Sequence, residues 1–176
     1  MELLDVLNDK GEKTGKVLNK ERIHNEGLYH REVALILIND EGKLLLQKRA
    51  SSKRIEPDVW AWHGGHVKAG EECIEAIIRE TKEELGIEIP KNKINFLLEL
   101  KRDKMPNKQF TTVYYSICNL PLKKFKIQKE ELSEVKWFNY SEFKNMIYSN
   151  DPDIMFNNNK NTKKIISSLE KIIKIS

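Results

Sequence analysis

The stretch from Gly65 to Ile87, GHVKAGEECIEAIIRETKEELGI, constrains this chain more than any other. Gly64, Gly65 and Gly70 predict a turn of exposed amides, and the apolar periodicity beyond it predicts a helix that stops at Gly86. At roughly 100° per residue, Ile74, Ile77, Ile78 and Leu85 share one stripe, with Thr81 inside it. Glu80, Glu83 and Glu84 form a second stripe roughly opposite, joined there by Cys73 and Ala76. One face is therefore core, and the other is a carboxylate cluster with small neighbours. Acids spaced i, i+3 and i+4 repel by a few tenths of a kcal/mol each. Arg79 and Lys82 soften this only in part, and a bound cation would remove it. Taken alone, such a string is most often a solvated helix face. Behind a glycine turn, it is also what divalent-metal phosphate chemistry requires, because the metal needs hard oxygen ligands.

The rest of the chain reads as strands flanked by helices. Leu3 to Leu7 and Thr14 to Leu18 predict a short hairpin, followed by a connection over 19–29 with a little helix. Val33 to Ile38, a turn at Asn39 to Gly42, and Lys43 to Arg49 predict a second hairpin. A charged loop, Ala50 to Asp58, leads through Val59-Trp60-Ala61-Trp62 to the glycines. Pro90 ends any helical continuation. Ile94 to Leu100 and Phe110 to Ile117 predict two strands joined by a polar loop, Lys101 to Lys108, and Val135 to Phe138 predicts another. A helix is expected from Ser141 to about Ser149. A second, with Ile165, Ile166, Leu169, Ile172 and Ile173 on one face, is expected over 162–173. The fold class is α/β: a mixed β-sheet sandwiched between helices. At 176 residues the chain suits one domain, with an N-terminal hairpin over 1–29, a core over 30–149 and a C-terminal helix over 160–176.

Composition removes several function classes. The longest apolar run, VALILI, is far too short to span a membrane, and no basic run interleaved with aromatics suggests a nucleic-acid polymer as partner. Cys73 and Cys118 have no metal or disulfide spacing, so reduced thiols are expected and Cys73 reads as packing. The N-terminus shows no basic and then apolar leader, which points to the cytoplasm. A net charge of +4 is a mild bias that suits an anionic substrate.

The spacing G-x5-E-x7-R-E-U-x-E-E-x-G-U, with U a bulky aliphatic, is that of the Nudix box. Gly65, Glu71, Arg79, Glu80, Glu83, Glu84, Gly86 and Ile87 match it, and Thr81 stands where the first U belongs. The chain therefore resembles the Nudix hydrolases, whose α/β/α sandwich agrees with the strand and helix order. Thr81 keeps a methyl for the core stripe, and its hydroxyl can bond back to a helix carbonyl. The resemblance implies Mg²⁺ or Mn²⁺ on Glu80, Glu83 and Glu84, with the Gly64 carbonyl a further ligand. It also implies that Arg79 orients a glutamate, that Glu71 sits at the helix start, and that water attacks a nucleoside diphosphate linked to another moiety. The general base in such enzymes is a box glutamate (Glu83 or Glu84) or an acid from a later loop, for which Glu131 is the candidate. Lys48, Arg49, Arg54 and His66 are candidate phosphate contacts. Trp60, Trp62, Phe110 and Tyr114 could stack a base, although core packing is their commoner use. Dimerisation is frequent among such proteins, and the sequence leaves it open.

His24, His30 and His66 stand at positions like three metal-binding histidines of type 1 isopentenyl-diphosphate isomerase, which shares the fold but moves a proton at an allylic carbon. The likeness covers about the first 90 residues. Three departures favour hydrolysis. Gly64 stands where the isomerase keeps a cysteine, Gln109 to Thr112 lacks its later glutamates, and the box here is intact. In a hydrolase the three histidines are expected to be hairpin-surface and turn residues, and His63 is singled out only by its place beside the box. A binding module without activity would need damaged box acids, and none is damaged.

Overall fold

The computed structural model describes residues 2–173. Its sheet is organised on β3 (His30–Ile38), whose apolar run is buried on both faces as a central strand requires. Val33, Leu35 and Leu37 pack on one side against α2 (Cys73–Leu85). Ala34, Ile36 and Ile38 pack on the other against α3 (Tyr140–Ser149) and α4 (Lys160–Glu170). The result is the α/β/α sandwich with a mixed sheet that the sequence predicts.

β3 runs parallel to β8 (Gln109–Ile117), from His30 opposite Gln109 to Ile38 opposite Ile117. On its other edge it pairs antiparallel with β6 (His63–His66), from Glu32 opposite His66 to Leu35 opposite His63. The expected hairpin between β3 and β4 (Leu44–Arg49) forms its turn, with Asn39 N–H donating to the Lys43 carbonyl at 3.0 Å. The strands then part, meeting only at Ile38 and Leu44. β6 occupies the edge that the hairpin would have used. β4 pairs instead with β5 (Trp60–Ala61) and β9 (Leu132–Phe138). β7 (Asn95–Arg102) closes the far edge against β8.

The N-terminal hairpin of β1 (Leu3–Leu7) and β2 (Lys13–Asn19) forms as expected, followed by the short helix α1 (Lys20–Glu26). It is fastened to the glycine turn, because Ala69 N–H donates to the Leu3 carbonyl at 2.8 Å and Gly70 N–H to Asp5 Oδ2 at 3.0 Å.

α2 carries its apolar stripe as predicted, but its buried face is wider, since Ala76 and Glu80 are also buried. β6 makes room for this. A Cβ on Gly65 would lie 2.4 Å from Glu80 Cδ, so the glycine leaves the space that the Glu80 carboxylate fills. Thr81 is buried and its hydroxyl donates to the Ile77 carbonyl at 2.6 Å. Gly86 ends the helix in the left-handed region, φ 64°, as a C-cap glycine does.

β9 begins three residues earlier than Val135, and α4 starts at Lys160 because the Asn159 side chain caps the amides of Asn161 and Thr162. Ile173 is buried beyond the helix, and residues 174–176 of the expected C-terminal helix lie outside the described residues. Among the described residues no helix is long and apolar enough to cross a membrane.

Candidate active site

The carboxylates of the glycine-helix stretch are organised by one guanidinium. Arg79 Nε donates to Glu71 Oε1 at 2.8 Å and Nη2 to Glu71 Oε2 at 2.9 Å, a two-pronged pair. Nη1 donates to Glu80 Oε1 at 2.7 Å and to Glu83 Oε2 at 3.2 Å, and Nη2 also reaches the His66 carbonyl at 3.1 Å. Burial would push the Glu71 carboxyl up, but Arg79 and the Lys68 amide hold it below the usual carboxylate range. Glu80 goes the other way. Burial raises it, and the nearby Glu84 adds to that, against the opposing pull of Arg79. A buried carboxylate disfavoured in its charged form is one that a cation would relieve.

Sequence reasoning missed the partner of Glu84. His63 is buried on β6, with Nδ1 3.0 Å from Gln47 Oε1 and 3.5 Å from Glu84 Oε2. Its alternation with Gly65 could have found it, since successive strand residues face opposite sides and His63 must face α2. Gln47 comes from β4 on the same face.

The remaining candidates are scattered. Gly64 lies in β6 opposite Ala34, where a Cβ would strike the Val33 carbonyl at 2.3 Å. Glu131 directly precedes β9 and forms an ion pair with Lys53 from the 50–58 loop. Its segment hangs from the end of α2, with Lys126 N–H donating to the Leu85 carbonyl and Gln128 N–H to the Glu84 carbonyl, both at 2.9 Å. Arg49 turns to that loop, donating to the carbonyls of Ile55 and Glu56 at 2.9–3.3 Å. Arg54 is exposed on the loop. Lys48 lies over the Trp60 ring, 5.9 Å from its centroid. Trp62 stacks on Phe156, Trp60 meets Phe138 edge-on, and Phe110 packs on Tyr29, so these rings are committed to protein contacts.

His66 faces away from the box carboxylates. With His24 of α1 and His30 of β3 it forms a cluster whose ligating nitrogens all lie within 4.8 Å of one another. His30 is fully buried, which corrects the expectation of surface and turn residues. Burial holds the His66 imidazole down at about 4 and lowers His24 too, so both are neutral near pH 7. His24 Nε2, His30 Nδ1 and Nε2, and His66 Nε2 are buried without hydrogen-bond partners.

The NUDIX domain family model matches residues 28–157, which takes in the glycine turn, the acid-faced helix and the sheet around them. The chain belongs to the NUDIX family. The chain is also similar in fold to the crystal structure of DR0079 from Deinococcus radiodurans, 25% identical with a TM-score of 0.70, over 87% of this chain and 92% of that one. Nudix hydrolase 3 of Arabidopsis thaliana is 37% identical over 161 residues, or 86% of this chain, and the aligned part is 21% of the plant protein's length. Isopentenyl-diphosphate Delta-isomerase 2 of Photorhabdus laumondii is 29% identical over 88% of this chain and 86% of its own. Within the NUDIX domain, Glu80 and Glu83 are drawn onto Arg79, and Glu84 faces His63. Their hard oxygens, and the raised carboxyl of Glu80, fit Mg²⁺ or Mn²⁺.

Proposed function

We propose that this chain is a metal-dependent hydrolase of a phosphoanhydride bond, acting on a nucleoside diphosphate linked to another moiety. The reading takes residues 1–176 as one domain working in the cytoplasm on a small diphosphate. The observation that carries it is the Glu71–Arg79–Glu80 arrangement, a guanidinium clamped on one side so that its other edge holds a buried carboxylate beside the glycine strand. Glu80, Glu83 and Glu84, with the Gly64 carbonyl, would hold Mg²⁺ or Mn²⁺, which when bound supplies Lewis acidity for the diphosphate and its attacking water.

The protein's own part is positioning and proton transfer. Arg79 aligns Glu80 and Glu83, and His63 aligns Glu84. The proton of the attacking water passes to a carboxylate, with Glu83 or Glu84 on the helix, or Glu131 from the later loop, as acceptor. Lys48, Arg49 and Arg54 are basic residues on or beside the 50–58 loop, and a phosphate bound there would draw on them. A phosphate-release screen over nucleoside di- and triphosphates, dinucleotides, nucleotide sugars and isoprenoid diphosphates, with and without Mg²⁺, tests this. Metal-dependent cleavage of at least one class is expected, and inertness across the panel counts against it.

Isomerisation of isopentenyl diphosphate is the second reading, favoured by the histidine cluster and by the likeness to the Photorhabdus protein. Gly64 in place of a cysteine, and Gln109 to Thr112 in place of acids, weigh against it. NMR detection of the allylic product would reverse the order of the two readings.

A further inference from the structure

The box is held in part from outside the region that the family model matches. That region begins at residue 28, yet β1 reaches the turn that leads into α2. Every amide of that turn from Lys68 to Glu71 has an acceptor. Lys68 N–H donates to Glu71 Oε2 and Glu71 N–H to the Lys68 carbonyl, both at 3.0 Å, so the turn closes on itself at its two ends. The amides between them, of Ala69 and Gly70, are met by the Leu3 carbonyl and by Asp5 Oδ2. Leu4 and Val6 pack with Ile23 of α1, and strand alternation leaves Asp5 on the other face, toward the turn. β1 also shifts register against β2 between Asp5 and Leu7, an irregularity of the kind that re-aims a side chain. Asp5 pairs with Lys13 at 2.9 Å too, but that ammonium is half exposed, and such surface pairs stabilise little. Burial would push the Asp5 carboxyl up, but the Gly70 amide and Lys13 hold it below its ordinary 3.8, so near pH 7 it accepts as a carboxylate.

We propose that Asp5 is a positioning residue for the box carboxylates, a role that rests on the hydrolase reading, and that the N-terminal hairpin is thereby a working part of the active site. By holding Gly70, Asp5 fixes the neighbouring Glu71, whose two oxygens clamp Arg79, and Arg79 in turn sets Glu80 and Glu83. Glu71 Oε2 is where the turn and the clamp meet, since it accepts from both Lys68 N–H and Arg79 Nη2. A turn that swings carries that oxygen with it. The guanidinium follows, and Glu80 and Glu83 lose their common alignment toward a cation. This line of contacts ends on the carboxylates that would hold the metal and touches none of the basic residues offered for phosphate. Loss of Asp5 therefore acts on metal affinity and kcat and leaves KM little changed.

The test is a double-mutant cycle of Asp5→Ala and Arg79→Lys in the full chain. It is read by Mn²⁺ affinity in electron paramagnetic resonance titrations, and by kcat on the best substrate of the phosphate-release screen. Asp5→Ala alone should lower both roughly ten- to hundredfold, with KM little changed, and should speed hydrogen exchange of the Gly70 amide. Asp5→Asn keeps an acceptor for that amide and should recover most of the loss. In the Arg79→Lys background Asp5→Ala should cost little more, because both act along one path, whereas a merely structural role gives losses that multiply. By reciprocity, Mg²⁺ should slow exchange of the Gly70 amide in wild type, which carries the test if Asp5→Ala does not fold. The Mn²⁺ arm needs no substrate. A fall in Mn²⁺ affinity in Asp5→Ala, beside a wild type that cleaves nothing, would uphold the hold of Asp5 on the carboxylates and count against hydrolysis. The proposal is overturned by wild-type Mn²⁺ affinity and kcat in folded Asp5→Ala, by losses that multiply across the cycle, or by Gly70 exchange indifferent to Mg²⁺.

Discussion

Arg79 and Glu71 meet fork to fork, Nε to Oε1 at 2.8 Å and Nη2 to Oε2 at 2.9 Å, across eight residues that include the start of α2. The pair leaves Nη1 free to hold Glu80 and Glu83. Lysine has one compact ammonium and cannot make both contacts at once. Arg79→Lys is therefore expected to lower kcat while the protein stays folded, and Glu71→Gln to cost about 2 kcal/mol in urea unfolding. Wild-type kinetics in Arg79→Lys would mean that the clamp is not used.

The same pair sets a pH dependence. The Glu71 carboxyl is lower in the folded chain than its ordinary 4.5. A depressed carboxyl adds stability that is complete above its unfolded value and is lost as pH falls through the folded one. Urea midpoints measured from pH 7 down to acid should thus begin to draw together for wild type and Glu71→Gln as pH falls below 4.5 and meet once it is below the folded carboxyl's lowered range. A constant gap throughout would remove Glu71 titration as the cause.

Glu80 has the opposite sign. Its carboxyl is raised by burial, so in the charged form it costs stability above its folded value. Without metal at neutral pH, Glu80→Gln should melt at or slightly above wild type. With Mg²⁺, wild type should gain stability and the variant much less. Calorimetry with and without Mg²⁺ reads both effects, and an equal gain in the variant would take Glu80 out of the metal site.

The two glycines of β6 should fail differently. A Cβ on Gly65 meets the far end of the Glu80 side chain, with Oε1 at 2.6 Å, whereas one on Gly64 meets the Val33 backbone carbonyl at 2.3 Å. A side chain can swing aside and a central strand cannot. Gly65→Ala should keep most stability and lose activity, whereas Gly64→Ala should lose about 1–3 kcal/mol of stability. Thermal melts beside kinetics separate the two, and equal stability losses would contradict the contrast.

Local patterns were legible where one residue's neighbours in sequence are its neighbours in space. The α2 stripe, the Gly86 cap and the Thr81 back-bond all follow from helical spacing. The sandwich followed from the order of strands and helices. What escaped was set by pairing between distant strands. The turn at Asn39 to Gly42 predicts a hairpin, yet β6 takes that edge of β3, a choice no local signal encodes. His63 looked incidental until β6 alternation brought it between Gln47 and Glu84. His24, His30 and His66 looked like surface residues because their burial depends on α1 folding over the sheet end.

In the proposed reaction the carboxylates of α2 drive attack of water on phosphorus. Hydrolysis of the best substrate from the phosphate-release screen, run in oxygen-18 water with Mg²⁺, tests it most directly in wild type and Glu84→Gln. One labelled oxygen is expected on a phosphate of the wild-type product, with no turnover in a folded Glu84→Gln. Label on the non-phosphate fragment, or full turnover in the folded variant, would contradict it.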